Sequence, residues 1–207
     1  MAGSSTYPYP GSRTPRGPDD LYTSSPPWDI GRPQPAFLAL ADAGAIRGRV
    51  LDVGCGTGEH VLLAAGLGLD ATGVDLASAA LHTARGKARE RGHTARFLLQ
   101  DARHLADLGE SFDTVLDCGL FHIFTDDDRA AFVDSMASVV QPGGRYFMLC
   151  FSDQQPGEWG RVRKLTRDEI TASFAKGWRV EALEAATIDI TTDPDGIRAW
   201  LVTLTRL

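Results

Sequence analysis

Short apolar runs alternate along this chain with longer segments whose apolar positions recur at helical spacing. The first such pair is Val50, Leu51 and Val53, ending in Gly54, Gly56 and Gly58, then Val61, Leu62, Ala64 and Ala65. This reads as a buried strand turning sharply into a helix that runs to about Gly66. A second strand, ATGVD, ends at Asp75, and Ala77 to Arg91 reads as a helix. Ala80, Leu81, Ala84 and Ala88 would face inward, and Arg85, Lys87, Arg89 and Glu90 outward. RFLLQD is a third strand, ending at Asp101, followed by a short helix near His104 to Leu108. Phe112 to Asp117 is a fourth strand, leading into a loop, and Thr125 with Asp128 caps a helix whose inner face is Phe132, Met136, Val139 and Val140. RYFMLCFS is a central strand. SDQQPGEWGRVRK is a loop, and Thr166 with Glu169 opens a helix through Phe174. The end of the chain changes character. WRVEALEAATIDI and GIRAWLVTLTRL are two strand-like runs joined by TTDPDG, where Pro-Asp-Gly marks a tight turn.

The N-terminal part lacks this alternation. Residues 1–27 are rich in Pro, Gly, Ser and Thr and read as a flexible leader, although Tyr7, Tyr9 and Tyr22 could fold over a bound ligand. A single domain then spans residues 28–207. Pro33 and Pro35 favour a helix start, with Phe37, Leu38, Leu40 and Ala41 forming its apolar face and Gly44 ending it. Placed just before the first strand, this segment can cross the strand tips and close a ligand site.

Composition narrows the function classes. The 207 residues are 43% hydrophobic and 23% charged, as in ordinary globular proteins, with a net charge of -6. With no Lys/Arg block, a nucleic-acid partner is disfavoured. No apolar run approaches the ~20 residues of a membrane helix, and no signal sequence is evident, so a cytoplasmic protein is expected. Cys55, Cys118 and Cys150 have no metal-ligand spacing and read as packed thiols; no metal is expected.

The chemistry gathers at the strand tips. Glycines at Gly54, Gly56 and Gly58 let a ligand lie against bare backbone N–H groups. Their spacing is G-x-G-x-G, not the G-x-G-x-x-G of a pyrophosphate-binding fold. Asp75 at the next tip can accept from both hydroxyls of a ribose, and Asp101 supplies a second acid. With QPGG at Gln141 to Gly144 ahead of another strand, these motifs together resemble the class I S-adenosylmethionine-dependent methyltransferase family. The PWD-G segment at Trp28 is similar to one in its thiopurine S-methyltransferase and halide/thiol methyltransferase branch and in small bacterial relatives acting on aromatic heterocycles. The resemblance implies a Rossmann-like α/β fold with helices on both faces of a seven-stranded sheet, order 3-2-1-4-5-7-6, strand 7 antiparallel. The terminal hairpin is that family's topological mark.

The resemblance also implies site residues. Gly54, Cys55, Gly56 and Gly58 would lie under the methionyl and ribose parts of S-adenosylmethionine. Asp75 would hold the ribose, Leu76 the adenine face, Asp101 the adenine amino group and the Ala102 N–H a ring nitrogen. Asp117 or Cys118 would face the methionyl ammonium, Trp28 and Arg32 would close over the cofactor, and Asp52 would organise the glycine loop. Phe121, Phe124, Phe151 and Trp159 suggest an apolar wall for an acceptor, and His122 is the candidate base or substrate-positioning group. His60 is a weaker candidate base. The expected activity is methyl transfer to an O, S or N atom of a small aromatic or heterocyclic molecule, releasing S-adenosylhomocysteine, by a monomer or homodimer. The alternatives are a non-catalytic S-adenosylmethionine-binding protein of this fold, or a nucleotide-dependent oxidoreductase.

Overall fold

The computed structural model describes residues 17–159 and 162–207. In chain order the elements are α1 (Pro35–Asp42), β1 (Arg49–Val53), α2 (Glu59–Gly66), β2 (Asp70–Asp75), α3 (Ser78–Glu90), β3 (Arg96–Leu99) and a 3-10 segment (Ala102–Leu108). Then follow β4 (Phe112–Cys118), α4 (Asp126–Val139), β5 (Val140–Phe151), α5 (Arg167–Ser173), β6 (Trp178–Ile190) and β7 (Asp193–Arg206). They form one seven-stranded sheet, β3-β2-β1-β4-β5-β7-β6, parallel except for β7, which runs antiparallel to both neighbours.

The sheet is buried on both faces, which is why its central strands read as continuous apolar runs. Along β5, Tyr146, Met148 and Cys150 enter one core with α4 and α5, while Phe147, Leu149 and Phe151 enter the other with α1, α2 and α3. Two helix starts follow their sequence signals. The Thr125 hydroxyl accepts from Asp128 N, and Thr166 with Glu169 forms a full capping box.

α3 has no such residue of its own, because Ala77 stands at its N-cap. Asp19 supplies the cap from far upstream, accepting from Ala79 N and Ser78 Oγ at 2.9 Å each. It sits in a 3-10 turn, Pro18–Tyr22, within the stretch expected to be a flexible leader. The same expectation for residues 1–16, with Tyr7 and Tyr9, lies outside the described residues.

The hairpin differs from expectation in its turn. Ile190 pairs with Asp193, so the chain reverses at Thr191 and Thr192, not at Pro-Asp-Gly. Asp193 accepts from Asp195 N, and Gly196 has φ +64°, so this triplet forms a bulge between the Ile190–Asp193 and Ile188–Ile197 pairs. In α1, Phe37 and Ala41 are buried but Leu38 is exposed. No helix among the described residues is long and apolar enough to cross a membrane.

Gly73 marks the tightest contact beneath the glycine turn. A Cβ there would meet Cys55 Sγ and Val61 Cγ2, each at 2.7 Å. Gly73→Ala is expected to destabilise the protein by about 1–3 kcal/mol through overpacking, read as a lower urea midpoint at unchanged slope.

Candidate cofactor and acceptor site

β1 ends in Gly54, Gly56 and Gly58, with φ of +68°, +52° and +87°. These are conformations that favour glycine. Each glycine also has a steric reason. A Cβ on Gly58 would lie 2.9 Å from Ala84 Cβ, one on Gly54 3.2 Å from Leu120, and one on Gly56 2.9 Å from the Tyr22 hydroxyl. Gly58 thus serves helix packing, whereas Gly54 and Gly56 keep bare backbone at the strand tips. Cys55 donates its N–H to Val74 O and buries its thiol against Gly73. Asp75 accepts from Gly56 N and Ala77 N, both at 2.8 Å, so one carboxylate ties the turn to the tip of β2. Burial raises its pKa above the usual carboxylate range. Each of its oxygens keeps a lone pair for a further donor.

Asp52 and Asp117 lie side by side in the sheet, Leu116 being the register partner of Asp52. Both are buried, yet their situations differ. Asp117 accepts from Leu120 N, Phe121 N and the Tyr146 hydroxyl, at 2.8, 3.2 and 2.8 Å. Burial still pushes it up to about 7. Asp52 has no hydrogen-bond partner on either oxygen among the described residues. Burial first, then the charges of Asp117 and Asp75, drive its pKa well up. His60 Nδ1 stops 3.9 Å short of it, beyond hydrogen-bond range. That imidazole is neutral, its pKa lowered to about 4 by burial, and its Nε2 accepts from Gln34 N. His60 is therefore a docking point for the segment before α1, not a base.

A buried carboxylate without a donor fits a cationic ligand group. S-adenosylmethionine carries a sulfonium and an ammonium, so it suits this tip. A dinucleotide pyrophosphate would add negative charge to three crowded carboxylates, and the antiparallel β7 is foreign to that fold. The oxidoreductase reading is set aside on both grounds. Asp117, expected with Cys118 to face the ammonium, already accepts from three donors, whereas Asp52, expected to organise the glycine loop, has no donor among the described residues.

Other expectations also change. Arg32 is turned away to Asp189 on β6, at 2.7 Å. Asp101 is engaged by the Arg103 guanidinium and backbone N–H, which lower its pKa, and Arg103 also reaches Asp128. Ala102 is buried beside it, while Leu76 is exposed, leaving an apolar surface next to Asp75. Trp28 stands edge-on to Tyr22, with ring centroids 6.4 Å apart. Burial and the charge of Asp75 raise the Tyr22 pKa.

The expected aromatic wall divides between the two cores. Phe121 is fully buried against Phe132, Phe174 and the Arg129 guanidinium, and Phe124 packs on Phe132. Both pack on the α4 side, Phe121 within the 3-10 turn Phe121–Ile123 and Phe124 in the extended residue that follows it. His122, Phe151 and Trp159 do come together at the ends of β4 and β5, with centroids 4.4 and 5.5 Å apart, close to the half-buried Cys118. His122 Nδ1 accepts from Phe151 N at 3.1 Å, and burial lowers its pKa to about 3. The lone pair on Nδ1 is thus occupied.

Sequence reading missed Tyr146, hidden in an apolar run, and the clamp of Asp29, Lys87, Thr57 and Glu59 that ties the Trp28 segment to α2 and α3. The opposite charges were visible, but they lie far apart in the chain.

Residues 50–144 match a family described as a methyltransferase domain. A 2-heptyl-1-hydroxyquinolin-4(1H)-one methyltransferase of Mycobacteroides abscessus is 32% identical over 83% of this chain and 76% of its own. "Probable thiol methyltransferase 2" of Arabidopsis thaliana is 29% identical over 63% of this chain and 59% of its own. A solved structure described as "Conversion of a Disulfide Bond into a Thioacetal Group during Echinomycin Biosynthesis" shares 37% identity over 91% of each chain, with a TM-score of 0.82. Sheet order, terminal hairpin, glycine turn and these likenesses agree: the chain belongs to the class I S-adenosylmethionine-dependent methyltransferase family.

Proposed function

We propose that this methyltransferase acts on an O, S or N atom of a small, planar aromatic or heterocyclic molecule. The observation that carries the proposal is that the glycine turn ends β1 while the His122–Phe151–Trp159 cluster gathers at the same ends of its sheet neighbours β4 and β5, with Leu120 against Gly54. An apolar aromatic surface beside a cofactor site suits a flat acceptor. The relatives support the same class, one being named for a hydroxyquinolone and one for a thiol.

In this reading Asp75 holds the ribose hydroxyls and Leu76 the adenine face. Asp52 receives the methionyl ammonium, and Gly54 to Gly56 run beneath the chain that joins them. Ala102 offers its N–H to the adenine ring. Asp101 orders that loop through Arg103, and its contact to the adenine amino group would use the lone pairs left over. Trp28 covers the cofactor, whereas Arg32 acts from a distance, holding the covering segment to β6. Cys118 borders the path of the transferred group.

The bound cofactor supplies a methyl carbon activated by its sulfonium. The protein's task is to align the acceptor in line with the carbon–sulfur bond and to exclude water. The segment from Pro18 to Gln34 serves the second need. It is held by Asp19 on α3, Asp29 on Lys87, Arg32 on Asp189 and Gln34 on His60. Release of S-adenosylhomocysteine over a panel of thiols, phenols and N-hydroxy heterocycles tests the acceptor class. Turnover confined to proteins or nucleic acids would reject it.

Three further outcomes are expected. Asp75→Ala should weaken cofactor binding by about 1–3 kcal/mol, the cost of unpaired hydroxyls, measured by calorimetry. Asp52→Asn should raise the melting temperature of the cofactor-free protein and weaken cofactor binding at least about tenfold; unchanged affinity would remove Asp52 from the ammonium site. The third concerns pH. Asp117 stands near 7 in the folded protein, and Asp52 is raised as well. A bound cation lowers both, so binding below about pH 7 must expel protons. Affinity should therefore fall as pH drops below that point, and above it should keep rising until Asp52 is ionised as well. Calorimetry in buffers of different ionisation enthalpy should register the proton release.

A further inference from the structure

We propose that His122 selects the ionised form of the acceptor, donating from Nε2 to the anionic O, S or N atom, so that acceptors lose their proton before they are bound. The proposal rests on the small-acceptor methyltransferase reading above and names the chemical state in which the acceptor is taken.

The argument starts from the tautomer. His122 Nδ1 accepts from Phe151 N at 3.1 Å, and a ring nitrogen that accepts carries no proton. The proton of the neutral ring is therefore on Nε2, which makes no hydrogen bond among the described residues. The ring is fixed in this orientation. It packs on Phe151 with centroids 4.4 Å apart, and its backbone carbonyl accepts from Arg163 N at 2.9 Å. Gly119, at the tip of β4, faces the ring, and a Cβ there would make ordinary contact with it, 3.4 Å from His122 Cε1 and 3.7 Å from Nε2. The N–H is thus held at the carboxyl ends of β4 and β5, where the acceptor is expected. Burial keeps the ring neutral.

The titratable groups on the surrounding elements are otherwise engaged. Asp117 accepts from three donors, and Arg163 pairs with Asp126 and Glu169. The Cys118 and Cys150 thiols are pushed up by burial. A rigid donor and no ready base favour binding of an anion over deprotonation of a neutral acceptor. The balance is simple. The acceptor gives its proton to water, and its lone pair forms the new bond to the methyl carbon. The carbon–sulfur bond breaks, and its electron pair stays on sulfur as a neutral thioether.

The test uses 4-nitrophenol bound to the full-length enzyme with S-adenosylhomocysteine, followed by the visible absorbance of the phenolate. With no sulfonium present, the bound phenol should still ionise about one pH unit below the free phenol. His122→Asn keeps an acceptor for Phe151 N but carries no donor at Nε2, so it should abolish the shift and weaken phenolate binding about tenfold or more. His122→Gln, with a donor near Nε2, should restore part of it. In turnover, the acidic limb of kcat/KM should move with the acceptor's own pKa across a series of phenols. A limb at one pH for every acceptor, lost in His122→Asn, would make His122 a base and overturn the proposal. An unshifted phenol, or the same shift in His122→Asn, would reduce it to packing. Failure of every phenol to bind a complex that still holds S-adenosylhomocysteine would overturn the small-acceptor reading itself, while leaving cofactor binding intact.

Discussion

An ionised carboxylate shut away from water with no donor costs several kcal/mol. Asp52 occupies such a position at the end of β1. The sheet cannot relieve it. Asp117 on one side and Asp75 on the other add negative charge, and His60 stays out of reach. The backbone N–H groups of the turn are committed elsewhere, with Cys55 on Val74 and Gly56 on Asp75. A cationic ligand resolves this arrangement and an anionic one aggravates it. The electrostatics of three strand tips thereby select a sulfonium cofactor over a pyrophosphate one, on a sheet whose general plan both could share.

The segment ahead of α1 completes the rim by polar latches more than by apolar burial. Asp19 caps a helix that has no cap of its own. Asp29 joins Lys87 and Glu59 in a charge cluster, Arg32 pairs with Asp189, and Gln34 bridges His60 and the backbone of Asp189. Tyr22 and Trp28 are carried over Gly56 and Asp75 as a consequence. Arg32 is half exposed at Asp189, whereas Asp29, Lys87 and Glu59 are largely shielded and Gln34 and His60 are buried, so a weak outer pair is joined by a firmer inner cluster. In the proposed reading the same segment shields the strand tips from water, which is what an in-line displacement needs from its protein.

Much of this architecture was legible because local chemistry repeated itself at the right period. Ala80, Leu81, Ala84 and Ala88 lie on the buried side of α3 as their spacing requires, and Thr125 and Thr166 start their helices through their own hydroxyls. The glycine turn and Asp75 were equally readable, since a strand that ends in alternating glycines has few other uses. Short-range signals failed where a longer contact overrode them. Pro-Asp-Gly became a bulge where Gly196, at positive φ, lies so close to β6 that a Cβ on it would meet Ile188 O at 2.7 Å. Phe121 and Phe124, apolar and near the tips, were claimed by the core under α4.

The sequence by itself determined the alternation of strands and helices, the glycine turn and the closing hairpin, because each depends on dihedral preference and hydrophobic period within a few residues. Only the tertiary structure decided which carboxylate lacks a partner, which histidine nitrogen carries the proton and which arginine is drawn away from the cofactor. Those outcomes depend on donors brought from distant positions, as Tyr146 to Asp117, Phe151 to His122 and Asp189 to Arg32. A hydrogen-bond partner contributed by another strand leaves no trace in the local pattern of the residue it satisfies.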